Sequence, residues 1–193
     1  GSTMIVPRYD PTLMAAPDAA PDLDGIDAVM TDVRWPGAAA LALAAAKAAG
    51  IPAILDADMA AREVLDGLLP LASHVVASES AAKLVTGAET AEQAAGWLAV
   101  AHAGFVAVTA GADGCWWKEG GGIRHSPAPR IEAIDTLAAG DVFHAGFAVG
   151  LLEGWPMRNV IAFASAAAAI KCTRFGGRLG APSRTEVEAF LVR

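Results

Sequence analysis

A run of small residues that ends in an acid and opens an apolar helix can cradle an anion and hold a base beside it. Asp135-Thr-Leu-Ala-Ala-Gly-Asp141, continuing into Val142-Phe-His-Ala-Gly-Phe147, has this form. Small side chains let the backbone approach a ligand closely. A helix start adds unpaired N–H groups and the positive end of a dipole. Together they suit a phosphate. A carboxylate at Asp141 would repel that anion unless it has another task, such as taking a proton from an attacking hydroxyl. The stretch therefore points to phosphoryl transfer. The plainer alternative is a small-residue turn before a core helix, with Asp141 as an ordinary first-turn acid. Val142, Phe143, Phe147 and Leu151 turn the helix toward a core, which leaves its acidic tip facing a cleft.

Other residue groups are weaker signals. Val108-Thr-Ala-Gly-Ala-Asp-Gly114 is a strand followed by Gly-x-x-Gly. Gly111 and Gly114 permit a tight turn and close approach of phosphate or ribose, though alone such a pattern is more often only a turn. No GxxxxGK[ST] sequence is present, which excludes a P-loop enzyme. Asp56 and Asp58 close a strand, either to order the water around Mg²⁺ or to cap the next helix. Arg34 follows Asp32 at another strand end, where it would bind an anionic group or lie solvated in a loop. His144 reads as a packed or hydrogen-bonded residue, and Trp116 and Trp117 as packing. Lys171 and Arg174 end a helix, where cations suit the dipole. The glycines after them make an adaptable loop that could lie over a nucleotide.

The elements that must position these residues alternate. Ile26–Thr31 reads as a strand, after a Pro- and Asp-rich connector over 10–25; residues 4–7 read as a short strand. Pro36 starts a helix and Gly50 ends it. Strands follow at 51–55, 74–77 and 105–109. Helices lie at 60–67, from Ser78 to Thr86, and from Thr90 to near Gly104. Residues 115–118 and 123–126 form a hairpin, and three helices follow at 141–152, 157–172 and 184–191. Such alternation predicts an α/β fold with a largely parallel sheet and ligands at the carboxyl ends of its strands.

Composition narrows the partners. The 193 residues carry 14 basic and 21 acidic side chains, a net charge of −7 without a basic run, which argues against nucleic acid or an anionic membrane surface. The longest apolar stretches are Ala-rich and too short to span a bilayer. No signal peptide is visible, and Cys115 and Cys172 have no metal-ligand spacing, so a cytoplasmic protein with two free thiols is expected.

Asp135-Thr-Leu-Ala-Ala-Gly-Asp141 resembles the second signature of the PfkB/ribokinase carbohydrate kinases, D-T-x-[GA]-A-G-D. Thr109-Ala-Gly-Ala-Asp-Gly114 resembles their T-x-G-x-x-G, Leu55-Asp-Ala-Asp58 their D-x-N strand end, and Ala164–Pro182 their adenine-side segment. The resemblance implies a ribokinase-like three-layer α/β/α fold. It implies Asp141 as general base toward a sugar hydroxyl, with backbone N–H groups of Ala138, Ala139, Gly140 and Asp141 as the anion hole. Thr109, Gly111, Gly114, Asp58, Ser78 and Gly176 would border ATP, with Mg²⁺ arriving on the nucleotide. Asp135 and carbonyls of the 172–180 turn would bind a monovalent cation such as K⁺. Residues 32–35 and 171–178 look most like the sulfofructose kinase branch, which would put Arg34 on the sugar.

The sequence departs from the family in two places. The N-x-x-E motif falls on Ser78 and Ala81, without its Glu. The N-terminal strands, β lid and glycine-rich sugar signature are not in the chain, so 1–193 reads as one truncated nucleotide-binding domain. A homodimer is a further expectation, and the alternatives are a non-catalytic nucleotide-binding or interaction module, or a related vitamin or nucleoside kinase.

Overall fold

The computed structural model describes residues 15–192. These residues form two compact units, one of residues 15–110 and 116–125, the other of 111–115 and 126–192. Residues 4–7, expected to form a strand, lie outside the described residues.

The first unit is built on a sheet whose strands run in sequence order: β1 (Val29–Thr31), β2 (Ala53–Ala57), β3 (His74–Ser78), β4 (Phe105–Thr109), β5 (Cys115–Glu119) and β6 (Gly122–Ser126). β1 to β4 are parallel, with Leu55 opposite Thr31 and Val75, and Val75 opposite Val106. The central residues of β2, β3 and β4 are buried on both faces, as a parallel sheet requires. α1 (Pro36–Ala49), α2 (Arg62–Leu68), α3 (Glu79–Thr86) and α4 (Ala91–Ala101) make the crossovers. Each step moves the chain one strand the same way, so right-handed crossovers place all four helices on one face. Leu43, Leu65 and Leu98 from these helices pack with Leu55, Val75, Val106 and Val108 in one core. The alanines between them let helix backbones sit close to the sheet. β5 and β6 meet through Gly120 and Gly121, both at positive φ (60° and 83°), the backbone a two-residue antiparallel hairpin turn needs.

Helix ends follow local chemistry. α1 has Pro36 in its first turn and stops at Gly50, whose φ of 72° is left-handed. Ser78 and Thr90 accept the N–H of Ala81 and Gln93. Several expected boundaries move, among them β2, which spans Ala53–Ala57 rather than 51–55. β1 begins at Val29 rather than Ile26, because Ile26 N–H turns back to Leu23 O at 3.1 Å. α4 ends at Ala101 rather than near Gly104. His102 is extended there, its Nδ1 accepts Gly104 N–H at 3.0 Å, and its Nε2 lies 3.0 Å from Leu69 O.

The second unit contains α5 (Ala139–Leu152), α6 (Met157–Cys172) and α7 (Arg184–Leu191). Phe163, Ala166, Ala167 and Ile170 of α6 pack with Val187 of α7 and with Val142, Trp155 and Phe190. α5 and α6 approach through glycines: a Cβ at Gly146 would stand 3.0 Å from Ala164 Cα, and one at Gly150 3.3 Å from Val160 Cα. Gly146→Val should therefore overpack this contact and cost ~1–3 kcal/mol, read as a lower thermal midpoint by circular dichroism. Gly96→Ala, in α4 with nothing within 4 Å of its added Cβ, should raise the midpoint. An unchanged Gly146→Val midpoint would contradict the packing.

Candidate active site

The second unit holds the turn that opens α5. Ala138 has φ 60° and ψ 18° and is the one non-glycine residue with positive φ among the described residues. That conformation costs an L-residue ~1 kcal/mol or more, and such strain collects at functional sites. No side chain caps α5. Ala139 N–H donates to Thr136 O at 3.2 Å, and Val142 N–H to Ala138 O at 3.0 Å. Between them the N–H groups of Gly140 and Asp141 make no bond among the described residues, and both residues are exposed. By contrast, α3, α4 and α7 close their own first turns with Ser78, Thr90 and Ser183. Of the four expected anion-hole donors, Ala139 is thus already engaged. A Cβ on Gly140 would meet nothing within 4 Å, so there is open space beside that residue. His144 is buried and its Nδ1 lies 2.8 Å from Gly140 O, which ties down the first turn as a structural residue.

Asp135 anchors the start of the same turn. Its Oδ1 accepts Leu137 N–H at 2.9 Å and its Oδ2 accepts Gly176 N–H at 2.8 Å. These two donors, with the Lys171 ammonium, hold its carboxyl below the usual carboxylate range. Lys171 Nζ donates to Asp135 O at 2.7 Å and stands 3.5 Å from Oδ2, with its side chain fully buried. Cys172 O accepts the N–H groups of Ile134 and Asp135 at 2.8 and 3.1 Å. Lys171 is therefore no surface complement to a helix dipole, as its place at a helix end suggested. The signal for burial was in the sequence: Val160, Ala164, Ala167 and Lys171 recur at helical spacing on one face. Burial raises the Cys172 thiol above its ordinary range.

The two glycines after β4 have different roles. Gly111 has φ 54° and open space where its Cβ would be. Gly114 is buried, with φ 95°, and its Cβ would lie 2.0 Å from Ser126 O. Gly114 is required by the close passage of the Ser126–Ala128 segment, whatever it contributes to a ligand.

In the first unit the remaining candidates line the carboxyl ends of consecutive parallel strands: Arg34 just beyond β1, Asp58 just beyond β2, Ser78 ending β3 and Thr109 ending β4. Arg34 Nη2 and Asp58 Oδ2 form a half-buried ion pair at 3.2 Å, and Arg34 N–H donates to Asp32 Oδ1 at 2.9 Å. Two residues expected to act apart thus stand together. Ser78 Oγ is occupied as the α3 cap, and Thr109 Oγ1 donates to Ala77 O at 3.4 Å. Glu79 pairs with Lys83. Among the described residues no three His, Cys, Asp or Glu side chains gather as metal ligands, and no helix is long and apolar enough to cross a membrane.

Residues 21–184 match the model of the pfkB family carbohydrate kinases. The chain belongs to this family. It is 35% identical over 156 residues to a ribokinase of Haemophilus influenzae, covering 78% of this chain and 51% of that one. A solved structure from Agrobacterium tumefaciens, of a protein provisionally named a ribokinase, is 46% identical. It superposes with a TM-score of 0.92 over 98% of this chain and 63% of its own. Arabidopsis thaliana ribokinase, solved with ribose and ATP, is 26% identical, with a TM-score of 0.79 over 91% of this chain and 61% of its own. The chain spans about half the length of the Haemophilus relative. The fold class is the ribokinase-like α/β one with a mainly parallel sheet. The narrower likeness to the sulfofructose kinase branch finds no support in these relatives.

Substitutions at the pfkB turn and its surroundings test this geometry. Gly114→Ala should destabilise by more than ~1 kcal/mol, whereas Gly140→Ala should leave the denaturant midpoint unchanged or slightly higher. Equal effects would contradict the distinction. The folded Asp135 carboxyl is depressed, so its stabilisation is complete above the unfolded value of ~4 and is lost as pH falls through the folded value. Asp135→Asn should flatten the urea midpoint between pH 5 and 2; an unaltered acid slope would rule out this role.

Proposed function

We propose that this chain carries the phosphoryl-transfer half of an ATP-dependent sugar kinase, acting on a hydroxyl of a sugar or sugar derivative. The observation that carries the reading is the first turn of α5, with two adjacent N–H groups unbonded, open space beside Gly140, and an exposed carboxylate on the second residue. Family membership and the relatives solved with ATP and with ribose support it.

The residues fit the nucleotide's phosphates. Unbonded N–H groups at a helix start are donors for an anion, and bound ATP supplies the transferable γ-phosphoryl group. Asp141 would take the proton of the acceptor hydroxyl while that hydroxyl's oxygen bonds to the γ-phosphorus and the bond from phosphorus to the bridging oxygen breaks, releasing ADP. Gly140 and Asp141 N–H groups receive the charge on the equatorial oxygens, already oriented before the reaction. Gly111 lets the backbone pass close to a phosphate. Mg²⁺ would arrive with the nucleotide, because it favours phosphate oxygens and keeps much of its water. Arg34 is read as a substrate contact whose guanidinium Asp58 orients, and an anionic sugar would compete with Asp58 for it. The two free cysteines suit a reducing cytoplasm, where the reaction is placed.

A second reading, nucleotide binding without turnover, is favoured by one observation. The position where the family pattern has a Glu is Ala81, and its N–H serves the Ser78 cap. Asp141→Asn in the full-length protein separates the two readings. Sugar-dependent ADP release should fall ~10²–10⁴-fold while ATP binding by calorimetry persists. Near-normal turnover in the variant would overturn the base assignment, and ATP binding by the wild type without turnover on any sugar would favour the second reading.

A further inference from the structure

The cation expected beside Asp135 does not fit the groups found there. The Lys171 ammonium already occupies the inner side of Asp135, 2.7 Å from its carbonyl oxygen and 3.5 Å from Oδ2. Several of the turn's carbonyls are engaged as well. Cys172 O accepts two N–H groups, and Gly176 O and Gly177 O both accept the N–H of Gly180, at 2.8 and 3.1 Å. An ion stripped of its water would find Asp135 neutralised and these acceptors partly satisfied.

We propose that Lys171 is a positioning residue that serves as a covalently attached cation, so that the 135–141 turn is held in its anion-binding form without any dissociable monovalent ion. The proposal rests on the reading of that turn as the anion hole.

Three physical observations support it. A fully buried ammonium is costly unless strongly paired, and both groups it meets belong to Asp135. Asp135 in turn fixes Leu137 N–H within the turn and Gly176 N–H in the segment after α6. Ala138 follows in a strained conformation, which persists only where its surroundings over-determine it. The ammonium also offsets the charge of a carboxylate that would otherwise oppose an anion at the helix start. A dissociable ion would do the same only while bound.

The test uses the full-length protein and two readouts. Wild-type turnover and thermal midpoint should be the same in K⁺, Na⁺ and tetramethylammonium chloride at equal ionic strength. Lys171→Met should lower kcat by ~10²-fold with little change in sugar KM, because misplacement of the turn acts on the chemical step. Lys171→Ala, which leaves room, should recover ~10-fold or more in kcat, and gain thermal midpoint, with ammonium, methylammonium or K⁺ but not with tetramethylammonium. Activation or stabilisation of the wild type by K⁺ would overturn the proposal, as would a folded Lys171→Ala that no small cation restores. If neither variant folds, the cation response of the wild type alone decides. If the wild type turns over no sugar, the kinase reading fails, and the thermal midpoints still decide the role of Lys171.

Discussion

A fully buried ammonium has to be answered by its neighbours, and in this protein Asp135 answers it. Lys171 reaches back from the end of α6 to the carbonyl and carboxylate of a residue six positions before Asp141. Asp135 passes that constraint on through Leu137 and Gly176. The main chain adds two bonds to Cys172 O and one from Ala139 to Thr136. Among the described residues, the N–H groups left unbonded include those of Ala138, Gly140 and Asp141. The turn is held rigid from behind and left open in front, the condition for stabilising charge that appears only during reaction.

Packing supports this arrangement. Gly146 and Gly150 bring α5 close to α6, and α6 carries Lys171 at its last turn. α7 joins the same core through Val187, and its capping box of Ser183 and Glu186 is clamped by Arg174, which with the two Ser183 groups draws the Glu186 carboxyl down to about 2. In the other unit the alanine-rich helices serve a different end. They fill one face of the parallel sheet so closely that polar residues are left for the carboxyl ends of its strands, among them the Arg34–Asp58 pair.

Much of this was legible in the sequence because local chemistry sets it. Pro36 and Gly50 bound α1, Ser78 and Thr90 start α3 and α4, and the two glycines at 120 and 121 shape the hairpin. The Asp135–Asp141 signature and the strand-end positions were legible for the same reason. Tertiary effects were not. The apolar spacing put Lys171 on a buried face, but nothing local put it beside Asp135, 36 residues earlier. The pairing of Arg34 with Asp58 joins residues 24 apart through the register of β1 on β2. The split between Gly111 and Gly114 depends on where the chain returns at Ser126. The early end of α4 depends on a histidine ring reaching Leu69 and Ala72.

Two particular amides are assigned here to receive the transferring group. That assignment is tested most directly by titrating ¹⁵N-labelled full-length protein with ADP, Mg²⁺ and aluminium fluoride, which mimics that group in flight. The Gly140 and Asp141 amide signals should move far downfield as hydrogen bonds form, while Ala139, already bonded to Thr136, should move little. Gly140 and Asp141 signals that stay in place while ADP binds would contradict the assignment.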